Sequence, residues 1–378
     1  GSEMCIRDSS STVLNPGDRA VVRGKIYPFT ARHGGYGRLM TRRGYVGTLY
    51  LNRSSLLLRD TLHRELSPKH LSLFLHERAV ARLDRLALAP DEQALCNAMT
   101  AGDRRSLSPA LRAAYSRSGT SHLLAVSGLH VGIVFLLANL LLWWLPLFRH
   151  GHILRNIAVI LLIWLYAATT GFPPSVVRAA LMFSVLQFAL ASSSEYVGMN
   201  TLAGVAFVML LFHPDYLFDI SFQLSFIAVA GIIAWGLPLC RLLRTRRKSI
   251  DMLTATLAIG FSASAATAPL ISHTFGQISV VGLALNPVVI LLSYVVVGSC
   301  TLWLVIPGTA LAPLFSVVAG FAARAQNELI RAAAALPAAA LDIRLTTTQC
   351  WSVYGLFIFA TLLLWSAERK KSVSSLPE

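Results

Sequence analysis

Between residues 131 and 367 the sequence consists largely of uncharged apolar runs of bilayer length. A hydrocarbon core of about 30 Å takes roughly 17–25 residues of helix. Lipid offers no partner to backbone N–H and C=O groups, so runs of this length cross as helices. Nine runs are read: 131–148, 153–172, 176–192, 199–212, 217–239, 252–272, 278–297, 301–321 and 353–367. The fourth is short and calls for burial, tilt or a locally thin bilayer. Glycine and proline interrupt the seventh and eighth. Residues 322–335 place Arg324, Asn327, Glu328 and Arg331 among alanines, which reads as an interfacial amphipathic helix. The fold class is therefore mainly α: a polytopic helical membrane protein with about 8–9 spans plus amphipathic helices.

Composition agrees, with 55% of residues hydrophobic and 13% charged. The net charge of +15 has two readings. Lys and Arg hold loops in the cytoplasm, and basic surfaces also attract polyanions such as nucleic acid. The five cysteines, Cys5, Cys96, Cys240, Cys300 and Cys350, show no CxxC or Cys/His spacing, so neither zinc nor a disulfide framework is expected. The first dozen residues carry no apolar stretch, and 1–11 are left unassigned as a suspected artefact.

From Thr12 to about Leu51 the signals are strands and turns. Asn15-Pro16-Gly17-Asp18 reads as a turn, 20–26 as a strand ending before Pro28, 36–43 as a short helix and 45–51 as a strand. Helices are expected at 69–88 after Ser67-Pro68, at 91–100, and from Ser108-Pro109 to about Ser118. Together they form an amphipathic collar. The seam between this basic half and the membrane half is 120–147, TSHLLAVSGLHVGIVFLLANLLLWWLPL.

Arg149, His150, His152 and Arg155 follow the first run, Arg241, Arg244, Arg246, Arg247 and Lys248 follow the fifth, and Lys370 and Lys371 follow the ninth. All come after odd-numbered runs and are expected in the cytoplasm, which places the basic amino-terminal region outside. The positive-inside rule does not explain that placement. An outer acidic ligand does.

Four clusters of polar residues interrupt the apolar background. The first is His122, Ser127, Gly128 and His130. Ser127 and His130 share a face of any helix, but no acid is near and AVSGLH is not a GxSxG elbow. Small polar residues for close helix packing are the plain alternative. The second is Gly171-Phe-Pro-Pro-Ser175-Val-Val-Arg178, where two prolines end one helix and begin another. An intramembrane arginine there marks a functional site or snorkels to the interface. In the third, PDYLFDISFQLS, Asp219 and Gln223 share a face, with Phe222 between them and Ser225 close by, and Asp219 is a plausible partner for Arg178. The fourth holds the small residues Gly260 to Thr267, then Pro269, His273, Ser279 and Asn286-Pro287. Proline-broken helices at these points would line a wet path.

HLLAVSGLHVG, GFPPSVVRAALM, HPDYLFDISFQLSF and APLISHTFGQIS…LNP, in this order, resemble the competence domain of ComEC-type DNA-uptake proteins over roughly 94–321. Upstream, GDRAVVRGKIYPF and GYGRLMTRRGYVGTLYL resemble the end of the OB-like extracytoplasmic domain that precedes it. The resemblance implies a transmembrane channel that imports single-stranded DNA across the cytoplasmic membrane during natural transformation. His122, Ser127, Gly128, His130, Ser175, Arg178, Asp219, Phe222, Gln223 and Ser225 fall on its motifs, and with His273 and Asn286 they are expected to shape or gate the path. It divides the chain into a partial OB-like domain (12–60), a helical connector (61–120), a channel domain (121–368) and a basic cytoplasmic tail (369–378).

It implies as partners single-stranded DNA, membrane lipids, a DNA-receptor protein outside and a separate cytoplasmic motor, and leaves room for a homo-oligomer. Longer members begin with membrane helices and end in a metallo-β-lactamase-like domain. Neither is seen here, nor is an HxHxDH run, so a fragment or a short subtype without nuclease activity is expected. No GxxxxGK[ST] loop is present and no cofactor or metal is expected. Two rival functions stay open: a secondary transporter of a small solute, and an intramembrane hydrolase using Ser127 and His130.

Overall fold

The computed structural model describes residues 19–28, 37, 41, 46–49, 56–60, 68–191, 198–279, 281–306, 311–336 and 341–374. The chain divides into two compact units, Gly1–Leu75 and His76–Glu378.

In the first unit, β1 (Arg19–Val22) pairs antiparallel with β4 (Leu56–Asp60), and β2 (Ile26–Pro28) with β3 (Gly47–Leu49). The single strand expected over 20–26 is thus two, separated at Arg23–Lys25. β3 falls inside the expected 45–51 strand, while β4 carries no turn or alternation signal strong enough to read. Gly47 lies so close to the neighbouring strand that a Cβ would stand 2.4 Å from the Tyr27 carbonyl oxygen. The turn at 15–18 and most of the 36–43 helix lie outside the described residues.

The collar helices appear as α1 (Pro68–Leu83), followed by a 3₁₀ turn at Asp84–Leu86, α2 (Pro90–Thr100) and α3 (Pro109–Arg117). Pro90 occupies the first turn of α2, where Asp91 and Glu92 complement the helix dipole. Ser108 Oγ caps α3 by accepting the Leu111 amide at 3.2 Å. Seven apolar helices follow or flank the seam: α4 (Gly128–Leu141), α5 (Gly151–Thr169), α6 (Pro174–Ala191), α7 (Gly198–Phe212), α8 (Ile220–Gly231) running through a π turn at Ile232–Gly236 into α9 (Leu237–Leu242), α10 (Lys248–Phe275) and α11 (Val281–Val305). Five stretches are long and apolar enough to cross a membrane, Gly128–Leu147, Gly151–Thr169, Ile220–Leu242, Ile250–Phe275 and Leu285–Val305, with Pro174–Ala189 and Gly198–Phe212 shorter. α12 (Ala312–Ala334) and α13 (Thr347–Ser374) complete the chain.

Three sequence expectations change. The seventh and eighth runs are not two spans: α11 absorbs most of the first and the start of the second, and α12 the rest. Residues 322–335 do not form a separate interfacial helix. They continue α12, with Ala319, Ala322, Ala323 and Ile330 buried against α2 and α11. Finally, Pro269 and Pro287 sit inside continuous helices, α10 and α11. Each proline removes one backbone hydrogen bond, and packed neighbours hold the helix through it. Next to Pro269, the Ala266 carbonyl accepts the Tyr354 hydroxyl of α13 at 3.1 Å.

The largest apolar core joins α2, α3, α4, α11 and α12, with Leu83, Leu95, Leu111, Leu123 and Ile330 almost wholly buried. Each such side chain contributes about 1.5–3 kcal/mol on burial. A polar knot threads it. Tyr115 Oη donates to Asn327 Oδ1 (3.1 Å), Asn327 Nδ2 to the Asp91 carbonyl (3.1 Å) and Gln326 Nε2 to Tyr115 Oη (3.3 Å), while Arg331 pairs with the Asp91 carboxylate. Burial holds the Tyr115 phenol above its ordinary value. Cys96 and Cys300, both buried free thiols, hydrogen-bond to one another, and that contact with burial pushes the Cys96 thiol up.

A second core packs α4, α5 and α6. There Arg155 donates to Asn139 (2.9 Å) and Gln187 to Asn156 (2.6 Å), tying the three helices through amides in apolar surroundings. α8 meets α10 closely, because a Cβ on Gly231 would stand 2.5 Å from that of Ala266. Ser262 and Thr267 bond back to their own helix, to the Ala258 and Ala263 carbonyls.

Candidate functional site

The site is built where one helix stops and the next starts. α5 ends as the Gly171 and Phe172 amides reach back to the Ala168 and Ala167 carbonyls (3.1 and 2.9 Å), with Gly171 at φ 84°. Phe172 is also left-handed, at φ 51°. That conformation costs a side-chain-bearing residue about 1–2 kcal/mol, and such strain persists only where the surroundings impose it. Pro174 then opens α6, whose fixed φ suits a first turn. The helix break expected at Pro173-Pro174 is present.

The first turn of α6 touches two neighbours. Towards α4, Ser175 Oγ donates to the Val126 carbonyl (2.9 Å) and Ala179 lies opposite Gly128, whose absent side chain would meet it at 3.6 Å. His130, wholly buried, accepts the Ser127 amide on Nδ1 (3.0 Å). A neutral ring so placed carries its proton on Nε2, and that nitrogen is buried without a partner.

His122 lies on the 3₁₀ turn Ser121–Leu124 ahead of α4. Loss of water around the ring holds it below the ordinary histidine value, partly offset by its bond to the Gly119 carbonyl, so it is neutral at pH 7. Its surface is nonetheless exposed. Gly119, at φ 73°, approaches the chain before α11 so closely that a Cβ would stand 2.3 Å from that of Ser279, and a Cβ on Gly282 would stand 2.8 Å from the Ser118 carbonyl oxygen. The turn between the collar and α4 thus meets the fourth cluster on one side, while Val126 meets the second on the other.

On the other face of α6, Arg178 is 2% exposed, its guanidinium lies 5.2 Å from the centre of the Phe226 ring, and Nη1 has no hydrogen-bond partner. Asp219 lies within electrostatic reach, and its Oδ1 accepts the Ser221 and Phe222 amides at the start of α8 (2.7 and 3.3 Å). Phe222 stacks on Phe226 (4.3 Å between centroids) and neighbours Tyr216 (6.3 Å), which neighbours His213 (5.1 Å). Gln223 Nε2 donates to the Leu217 carbonyl, fastening the turn before α8. Ser225 is half-buried on the same helix.

His122, Ser127, Gly128, His130, Ser175, Arg178, Asp219, Phe222 and Gln223 therefore gather about the start of α6. His273 does not: it bonds the Leu345 carbonyl (3.0 Å) beside Ser272, which donates to Ile343, so both pin the segment before α13. Asn286 sits one turn beyond Gly282 with its Oδ1 buried and unpartnered. Sequence reading missed Tyr216 and Phe226, and also Asn139, Asn156 and Gln187, although lone amides in apolar runs signal helix contacts. Among the described residues no group of three or more His, Cys, Asp or Glu is placed to hold a metal.

Comparison with known proteins follows the same residues. The competence protein family profile matches 99–370, most of the chain and all of the site. This chain belongs to that competence protein family. Among its relatives, ComE operon protein 3 of Bacillus subtilis (strain 168) is 33% identical over 204 residues, which are 53% of this chain and 24% of that protein. An uncharacterized protein of Aquifex aeolicus (strain VF5) is 29% identical over 201 residues, 53% of this chain and 45% of its own length. The chain thus spans less than half the length of either relative. No solved structure matches it. The competence protein described here is a mainly α, polytopic membrane protein with a competence-related role.

Proposed function

We propose that this chain forms a path for single-stranded DNA across the bacterial cytoplasmic membrane. The observation that carries the reading is the meeting of the polar motifs at the start of α6, with a buried donor left open on each side of it, His130 Nε2 towards α4 and Arg178 Nη1 towards α8. Buried donors are almost always satisfied. Open ones flanking one helix start suit a transient, oxygen-rich ligand with its water. Arg241 at the end of α9 and Arg244, Arg246 and Arg247 in the link to α10 are all exposed, and their charge supports a cytoplasmic placement of this link and an outer placement of the amino-terminal region. Domain bounds, an outer DNA receptor, a cytoplasmic motor and assembly with further copies belong to this same reading.

The rival readings lose support. A small-solute transporter drew on broken helices and on the Arg178/Asp219 pair; the helices run through Pro269 and Pro287, which removes that ground, while the pair and the break at Pro173-Pro174 remain. A Ser127/His130 hydrolase needs a ring nitrogen at the serine hydroxyl, whereas Nδ1 takes the Ser127 amide. The test is transformation in cells carrying Arg178 or His130 substitutions, normalised to the amount of protein in the membrane. Uptake should fall at unchanged abundance. Unchanged uptake removes the site from the mechanism.

A further inference from the structure

We infer that Arg178, Phe226 and Tyr216 form a single-strand station, with the guanidinium taking a phosphodiester oxygen and the Tyr216 ring taking a base. The inference rests on the single-strand reading above and names the chemistry of the contact. Three observations carry it. Arg178 is a permanent cation, 2% exposed, with an unpartnered Nη1; the Asp219 carboxylate lies within electrostatic reach, but its Oδ1 accepts the Ser221 and Phe222 amides and no hydrogen bond ties it to that donor. The Phe226 ring backs the guanidinium at 5.2 Å. The rings then continue from Phe226 through Phe222 to Tyr216, at 4.3 and 6.3 Å between centroids.

Phe222 is 5% exposed and serves as the buried middle of this row, packed on Val205 and Met209. Phe226 and Tyr216 are only partly buried and bracket it. A cationic fork at one end of a row of π faces is the pairing by which single strands are held without sequence preference. A phosphodiester alone would need the arginine and not the rings. An apolar solute would need the rings and not a charge.

The test uses the full chain in nanodiscs and three fluorescent probes: a thymidine oligomer, an abasic oligomer with the same phosphates, and a methylphosphonate oligomer with a neutral backbone. Wild type should bind the thymidine oligomer best, and binding should weaken with salt. Arg178→Lys should lower affinity for the two charged probes about tenfold and leave the neutral probe little changed, because Lys keeps the charge but loses the fork. Tyr216→Leu should shrink the preference for thymidine over abasic probe about tenfold, and Tyr216→Phe should restore it.

Phe226→Leu should behave as a weaker Arg178→Lys, through loss of the backing ring. Elution as a single symmetric species shows that each variant is folded. Wild-type binding without these differences overturns the station and leaves the channel reading standing. A wild type that binds none of the probes overturns both.

Discussion

Two polar assemblies inside this protein look alike in composition and differ in what they leave open. In the knot between α3 and α12, Tyr115 bonds Asn327, Asn327 bonds the Asp91 carbonyl and Arg331 has its carboxylate, and the atom left open is a neutral amide oxygen, Gln326 Oε1. At the start of α6, His130 and Arg178 are equally buried and keep open valences, beside a residue forced to φ 51°. Satisfied buried polar groups fix a fold. Unsatisfied ones weaken it and are kept where something else needs them. The first assembly is a fastener, and the second is where the proposed path for DNA makes its contacts.

The strongest way to break this contrast is Arg178→Met. An apolar side chain of similar length should leave thermal stability unchanged or raised, since it removes an incompletely paired buried charge, while transformation per membrane-inserted copy falls about 30-fold or more. A melting point that drops instead would make Arg178 a structural residue. Asn327→Ala should do the reverse. It strands the Tyr115 hydroxyl and the Asp91 carbonyl, at a cost of about 2–3 kcal/mol, so abundance and uptake should decline in step.

Tyr115→Phe removes the hydroxyl and leaves Asn327 Oδ1 without its donor, and should lower stability by about 1–2 kcal/mol in a denaturant titration. Phe172→Gly tests the strain. Freed from the left-handed penalty, the variant should be as stable as wild type or more so by up to about 1 kcal/mol, whereas a glycine elsewhere in that turn would weaken it.

The smallest effect concerns Asp103, in the link between α2 and α3. Burial alone would raise its pKa, but hydrogen bonds from the Arg105 side chain and amide outweigh that and lower it. The stability this contributes is present above the unfolded value near 4 and fades as pH falls through the lower folded value. The melting difference between wild type and Asp103→Asn should therefore narrow on acidification below about pH 4.

Much of this was readable in the chain itself. Runs of bilayer length, Ser108-Pro109 and Pro173-Pro174 set helices and their ends by local chemistry alone, and α3 and α6 start where those signals lie. The first three polar clusters stood out because histidine, serine and arginine contrast with an apolar background. What failed depended on distant partners. Residues 322–335 looked interfacial because the groups that bury Gln326 and Asn327, Tyr115 and Asp91, lie more than 200 residues earlier. Pro269 and Pro287 looked like breaks because sequence shows a proline's lost bond but not the neighbours that hold the helix. Phe226 and Tyr216 gave no contrast at all in surroundings as apolar as themselves.

The π turn at Ile232–Gly236 makes α8 and α9 one rod with a phase slip. One surplus residue offsets everything downstream by about 100° relative to an unbroken helix. That offset aims Trp235 at α13, where its Nε1 donates to Thr361 (2.8 Å) and its ring meets Phe357 edge-on, while Gly231 just upstream stays against α10. Excising a single amino acid from the slip would swing the indole off Thr361 while leaving every apolar letter of the span in place. The rod thus keeps α10 along its length, through Gly231, Gly236 and Cys240, and gains α13 as a second neighbour at the slip.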